Sequence, residues 1–290
     1  MPRVSTRRVA VLGAGTMGHG IAQVCALAGY DVRLADATEA LAGAGRDRIR
    51  ANLDEGVRRG KLTADAASAS LERVVIEPAL EAACADSDII IEAVPERVEL
   101  KRDVLARAER VSTATSLLAT NTSSLSIGEL QQTLTRPARF LGLHFFNPVH
   151  INPLLEIVRG PHTDEATVQQ ALELARRIGK EAIVVNDSPG FATSRLGVLL
   201  GLEAMRMVEE GVASAADIDR AMELGYRHPM GPLKLTDLVG LDVRLDIARY
   251  LHEKLGAEQF RPPRILQDMV AQGRLGKKSG RGFYDWSEAR

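Results

Sequence analysis

Near its start the chain carries a pattern that few folds accommodate. Arg8, Val9, Ala10, Val11 and Leu12 form a short apolar run that leads straight into Gly13-Ala14-Gly15-Thr16-Met17-Gly18. Residues 19–28 then read as a helix closed by Gly29, and Asp31–Ala35 as a second strand ending at Asp36. Strand, glycine turn, helix, strand and acid, in these lengths, make a dinucleotide-binding unit. Each glycine has its own task there. Gly13 permits the tight turn, Gly15 lets the backbone approach a pyrophosphate, and Gly18 lets the helix pack closely on the strand. The N–H groups at the helix start, around Thr16 and Met17, point at the phosphates. Asp36 can accept hydrogen bonds from both adenosine ribose hydroxyls and repels a 2′-phosphate. The next residues, Ala37-Thr38-Glu39, supply no arginine to hold such a phosphate, so NAD is expected rather than NADP. Capping of the helix that starts near Thr38 is a second use open to Asp36.

Beyond that unit, apolar runs keep alternating with helical stretches. Strands are expected at 73–76, 88–91, 116–119, 140–143, 154–158 and 182–185, with helices at 38–60 and 165–178 and another from Thr63. Such alternation means a mostly parallel sheet covered on both faces. From Ser188 the strand signals stop, and 191–210, 215–224, 241–255 and 264–272 read as helices. The expectation is an α/β, Rossmann-type domain over residues 1–187 followed by an all-α domain over 188–290. The helix after Arg195 is apolar almost all round, which suits a dimer interface in a small helical domain. A net charge of −1 and scattered aromatics argue against nucleic acid or an anionic membrane as partner. Cys25 and Cys84 fall within apparent helices and read as buried thiols, and no metal-ligand spacing is present. With no long apolar run, and with MPRVSTR too short for a transit peptide, a cytoplasmic protein is expected.

Ligands of open α/β sheets bind outside the carboxyl ends of the strands. Polar residues gather in that place here. Glu92 follows Ile89-Ile90-Ile91; Asn121, Thr122 and Ser123 follow Leu117-Leu118-Ala119; His144 follows the run 140–143. His144 can act as a general base near neutral pH, and Glu156, in the next apolar run, can orient it. Ser123 also fits the cap of a helix over 125–130, and Asn147 a turn residue before Pro148.

At these residues the chain resembles the 3-hydroxyacyl-CoA dehydrogenases, and among them the bacterial short-chain (3-hydroxybutyryl-CoA) members. The shared motifs are GAGTMGHGIA from Gly13, EAVPE from Glu92, TNTSSLSI from Thr120, HFFNPV from His144, PLLEIV around Glu156, DSPGF from Asp187, HPMGPLKLTDLVGLD from His228 and GRGFYDW from Gly280. The likeness keeps their order and spacing along the chain. It implies an (S)-3-hydroxyacyl-CoA substrate, NAD as hydride acceptor and a helical C-terminal domain that forms a homodimer. It implies His144 as general base, Glu156 as its carboxylate partner, and Ser123, or its neighbour Ser124, as the hydroxyl bonded to the reacting oxygen. Glu92, Lys101 and Asn121 are implied at the nicotinamide end of the cofactor, with Asn147 a further candidate. Arg58, Arg59 and Lys61 fall where the family holds the CoA phosphates, though a solvated helix end accounts for the same cluster.

One position departs from the pattern. Ser194 stands where most of the family has an asparagine that approaches the substrate; a serine there can bond with shorter reach, or cap a helix. His150 and His228 read as structural, and Phe283 and Trp286 as a tail packed back on its domain. Two other readings use the same scaffold. One is a dehydrogenase of 3-hydroxyadipyl-CoA or of a sugar acid such as gulonate. The other is a catalytically silent NAD-binding structural protein, against which the intact Ser123, His144 and Glu156 argue.

Overall fold

The computed structural model describes residues 8–287; MPRVSTR, on which the reading of the leader rested, and residues 288–290 lie outside the described residues. The chain divides after Asp187 into two compact units. In the first, β1 (Arg8–Leu12), α1 (Gly18–Leu27) and β2 (Asp31–Ala35) form the expected opening, followed by α2 (Glu39–Arg58), α3 (Ala64–Glu72), β3 (Val74–Ile76) and α4 (Leu80–Cys84). Then come β4 (Ile89–Glu92), α5 (Val98–Val111), β5 (Leu117–Thr120), α6 (Ile127–Gln131), β6 (Phe140–Phe145), β7 (Leu154–Arg159), α7 (Glu165–Arg177) and β8 (Glu181–Asn186). The strands lie in one sheet in the order β3-β2-β1-β4-β5-β6-β7-β8. Val9, Val11, Ile89, Ile91, Leu117 and Leu143 are fully buried on one face, and Ala10, Ile90 and Phe140 are equally buried at the intervening positions. Burial on both sides is why these strands are apolar throughout instead of alternating.

Every pairing is parallel except β6 with β7. The connection 146–153 is too short for the crossover of roughly a dozen residues that a parallel neighbour needs, so the chain turns back on itself. Two strands also run further than the sequence suggested. His144 lies inside β6, not after it, and Glu92 is the last residue of β4. Helix caps differ as well. Thr38, not Asp36, caps α2 through its hydroxyl, and Ser126, not Ser123, caps α6, which starts at Ile127. Both Cys25 and Cys84 are buried, and burial pushes each thiol up to about 12, so neither is a nucleophile at neutral pH.

The second unit is helical: α8 (Thr193–Glu209), α9 (Ala215–Gly225), α10 (Pro232–Val239), α11 (Leu241–Leu255) and α12 (Arg264–Ala271). Helix α10 begins with proline at its first position, the place where the missing N–H costs nothing. Val198, Leu202 and Met205 of α8 pack in the core with Leu233, Leu245, Leu251 and Phe260. The apolar circumference of α8 is not wholly covered, because Leu196 remains 66 % exposed. Asp237, fully buried at the end of α10, holds the last turn of the chain. It accepts hydrogen bonds from Phe283 N, Tyr284 N and Trp286 Nε1 at 2.8–2.9 Å. A side chain on Gly282 would run into the same carboxylate. Removing a buried, charged acceptor from several donors is costly. Asp237→Ala should lower the unfolding free energy by about 3 kcal/mol, read from denaturant melts; a loss below about 1 kcal/mol would mean that water replaces the carboxylate there.

Candidate active site

The sheet order reverses between β1 and β4, and the loops leaving these two strands part around a cleft of about 560 Å³. Gly13, the first residue past β1, has φ +102°, and a Cβ there would stand 2.6 Å from Ala93 O, just past β4. Only glycine lets the two loops approach so closely. Gly18 seats α1 on the Gly13 carbonyl in the same way. Gly15 behaves differently, since a Cβ on it would meet nothing within 4 Å. It borders the cleft together with Thr16 and Met17, and no side chain caps the N-terminus of α1. Asp36 stands at the rim. Its Oδ2 accepts from Ala14 N and its Oδ1 from Ala37 N, both at 2.7 Å, which ties the end of β2 to the glycine turn. Beyond Asp36 a second hollow of about 610 Å³ is walled by Leu41, Leu80, Val94, Leu100 and Val104. These residues fit a dinucleotide. Bare backbone and helix N–H groups suit its pyrophosphate, the Asp36 carboxylate its ribose, and the apolar hollow its flat adenine ring.

The other end of the cleft carries a histidine paired with a carboxylate. His144 and Glu156 are direct partners across β6 and β7, and His144 Nδ1 lies 2.6 Å from Glu156 Oε2. A carboxylate only accepts, so Nδ1 is the donor in this bond. Glu156 is fully buried while His144 keeps 7 % of its surface and lines the cleft, its ring 4.3 Å from that of Phe146. Asn121, Ser123 and Asn147 line the same wall. Asn121 Oδ1 accepts from Phe145 N at 3.0 Å, which pins the end of β6 to the loop after β5.

Several expected residues do not line this cleft. Glu92 and Lys101 are fully buried and do not border the cleft. They bind each other instead, Lys101 Nζ donating to Glu92 Oε1 and Oε2 at 2.8 and 3.0 Å and to Val94 O, while Thr120 Oγ1 donates to Glu92. Burial pushes the Glu92 carboxyl up, opposed by the Lys101 ammonium. The acid that does face the cleft is Glu96, four residues on, which the sequence reading passed over although it closes the EAVPE motif. Arg58 and Arg59 pair with Glu55 at the exposed end of α2, away from the cleft lining. Lys61 is exposed near His150, whose pKa is lowered by burial and by the positive charge of His19, Lys180 and Lys61. Ser194 lies in the first turn of α8, where Ala192 holds the cap position, so Ser194 is not the cap.

Comparison with known proteins agrees with this geometry. Residues 8–188 match the family described as 3-hydroxyacyl-CoA dehydrogenase, NAD binding domain, and residues 190–286 match 3-hydroxyacyl-CoA dehydrogenase, C-terminal domain. A probable 3-hydroxybutyryl-CoA dehydrogenase of Bacillus subtilis is 43 % identical over 282 residues, which cover 97 % of this chain and 98 % of the relative. A 3-hydroxybutyryl-CoA dehydrogenase of Mycobacterium tuberculosis is also 43 % identical over 282 residues, again with 97 % and 98 % coverage. The crystal structure of (S)-3-hydroxybutyryl-CoA dehydrogenase from Ralstonia eutropha superimposes with a TM-score of 0.94 at 38 % identity, covering 97 % of this chain and 99 % of that one. The glycine turn, its acid at the end of β2 and the match along both units lead to one conclusion: the chain belongs to the 3-hydroxyacyl-CoA dehydrogenases, a family of NAD-dependent oxidoreductases.

Proposed function

We propose that this chain oxidises short (S)-3-hydroxyacyl-CoA esters, 3-hydroxybutyryl-CoA first among them, reversibly to the 3-ketoacyl-CoA. The observation that carries this reading is the buried His144–Glu156 pair opening onto the cleft beside Ser123. When bound, NAD supplies the acceptor for the hydride that leaves C3. His144 takes the proton of the 3-hydroxyl on Nε2, and the Glu156 carboxylate stabilises the imidazolium that results. In the reverse direction the same imidazolium returns the proton to the ketone oxygen. Ser123 donates a hydrogen bond to that oxygen as charge builds on it. Gly13, Gly15, Thr16, Met17 and Asp36 hold the pyrophosphate and adenosine side of the cofactor, and Asn121 and Asn147 border its nicotinamide end. Arg58, Arg59 and Lys61 remain candidates for the CoA phosphates, and Ser194 for a substrate contact.

In this proposal residues 1–187 bind NAD and residues 188–290 serve substrate binding and dimerisation. Leu196 on α8, Leu235, Leu238 and Val239 on α10 and Val243 on α11 are all exposed, which supports a homodimer through the helical unit. Among the described residues no helix is long and apolar enough to cross a membrane, and the buried thiols suit a cytoplasmic setting.

Oxidation of NADH by acetoacetyl-CoA, set beside NADPH and free acetoacetate, tests the reaction directly; turnover is expected with NADH and the CoA ester alone. His144→Ala should lower kcat by about 10²–10⁴-fold while NADH still quenches or shifts fluorescence on binding. Loss of both together would make His144 a structural residue. Glu156→Gln keeps the size but not the charge, and should cost about tenfold or more in kcat. Asp36→Ser combined with Ala37→Arg should raise the NADPH-to-NADH ratio of kcat/KM by about tenfold or more; an unchanged ratio would show that Asp36 serves only to anchor Ala14.

A further inference from the structure

We propose that Lys180 is a positioning residue for Asn147: its ammonium fastens the turn at residues 148–152, between β6 and β7, and so fixes where Asn147 stands in the cleft. That Asn147 meets the nicotinamide end of NAD rests on the function proposed above; the fastening itself does not. Lys180 Nζ donates to two carbonyls of this one turn, those of Val149 and Asn152, the second at 2.5 Å. The turn closes on itself through Ile151 N and Asn152 N, which both donate to Pro148 O, at 3.0 and 2.9 Å. Its carbonyls are thus met by a cation, the charge that suits the carbonyl end of a helical turn. Asn147 directly precedes Pro148, the acceptor that closes the turn, so its backbone moves with the turn. Asn147 and its neighbour Phe146 both line the cleft, and the Phe146 ring lies 4.3 Å from that of His144.

Lys180 suits this task because its own backbone is fixed on both sides. Helix α7 closes at Gly179, whose φ is +69°; Gly179 N donates to Arg176 O at 3.3 Å and Lys180 N to Ala175 O at 2.8 Å. These are the paired bonds of a Schellman cap. The next residue, Glu181, opens β8 and donates its N–H to Pro153 O at 2.8 Å. The side chain therefore springs from the junction of a capped helix and a paired strand. Burial lowers the pKa of its half-buried ammonium, and no carboxylate acts to raise it. A lysine that donates to two carbonyls, with no acid beside it, is not an ordinary surface ion pair. The turn also rests on α1. Val149 is buried, and a Cβ on Gly20 would stand 2.8 Å from the Val149 Cβ.

The test joins a double-mutant cycle to a measurement on the free protein. Wild type, K180M, N147A and the K180M/N147A double variant are assayed for kcat and KM with acetoacetyl-CoA and NADH. K180M keeps most of the length of the side chain and removes its donors. It is expected to lower kcat about tenfold or more, the scale of a small misplacement near the reacting atoms. KM for acetoacetyl-CoA should stay within about twofold, because Lys180 acts through the turn and not on that substrate. In the N147A background K180M should cost nothing further. K180R keeps the charge and donors for both carbonyls, and its kcat should stay within about threefold of wild type. Losses that multiply, a K180M protein as active as wild type, or a K180R protein as impaired as K180M would each overturn the proposal. A rise in KM for acetoacetyl-CoA with kcat unchanged would overturn it too, by making Lys180 a cation for the CoA phosphates. Amide hydrogen exchange on the free protein reads the fastening without any turnover. Ile151 and Asn152 should lose about tenfold or more in protection in K180M and keep it in K180R; retained protection in K180M would sink the idea. An N147A protein as active as wild type would remove Asn147 from the site and the proposal with it. A wild-type protein that ignores the CoA ester would instead refute the function proposed above, while the exchange data still decide whether Lys180 holds the turn.

Discussion

The antiparallel pairing of β6 with β7 sets His144 across from Glu156, and the contact between these two side chains depends on that register being kept. Register in a sheet is all or nothing, because a slip of one residue moves every side chain to the other face. Here the flanking residues enforce it. Leu143, Phe145, Leu155 and Ile157 all point into the core of the first unit and are at most 2 % exposed. A slip would drive Glu156 into that apolar layer, and an unpaired buried polar group costs several kcal/mol. The core therefore positions His144 against Glu156 by making the alternative pairing intolerable. No loop has to be trusted with the task.

A second constraint sits one strand pair away. Lys101 and Glu92 face each other with no exposed surface at all. Breaking such a pair from one side leaves an uncompensated charge and typically costs about 3–5 kcal/mol, more than the pair itself contributes to stability. Its presence is easier to understand as a fixed point for neighbouring groups than as a source of stability. Glu96 Oε2 lies 3.3 Å from the same ammonium.

How much of this could be read from the chain depends on how local the signal is. The glycine turn was legible because each glycine answers to a nearby steric demand: Gly13 to Ala93, Gly18 to Gly13 itself. His144 and Glu156 were legible as residue types, but not as cross-strand partners, since the direction of β7 depends on the length of one connection. Glu92 and Lys101 were named by resemblance for the nicotinamide end of the cofactor, but that they bind each other with no exposed surface could be seen only in the fold, since nine residues and a change from strand to helix separate them. Glu96 was missed because its partners, residues 122–124, lie some 26–28 positions further on. The caps at Thr38 and Ser126 displaced Asp36 and Ser123 from that role, since each sits one residue before a helix and its hydroxyl reaches the right N–H.

The carboxylate of Asp237 has a bearing on how the protein is made. Its donors lie 46 to 49 positions further along the chain. A ribosome adding roughly 5–20 residues per second leaves that acid without them for several seconds after it is made. The first unit, by contrast, draws its sheet from residues that have all been synthesised before α8 begins. During translation the two halves therefore mature by different rules. The sheet can consolidate while the helices are still emerging, whereas the helical half waits for its own final turn before its most deeply buried acid is satisfied.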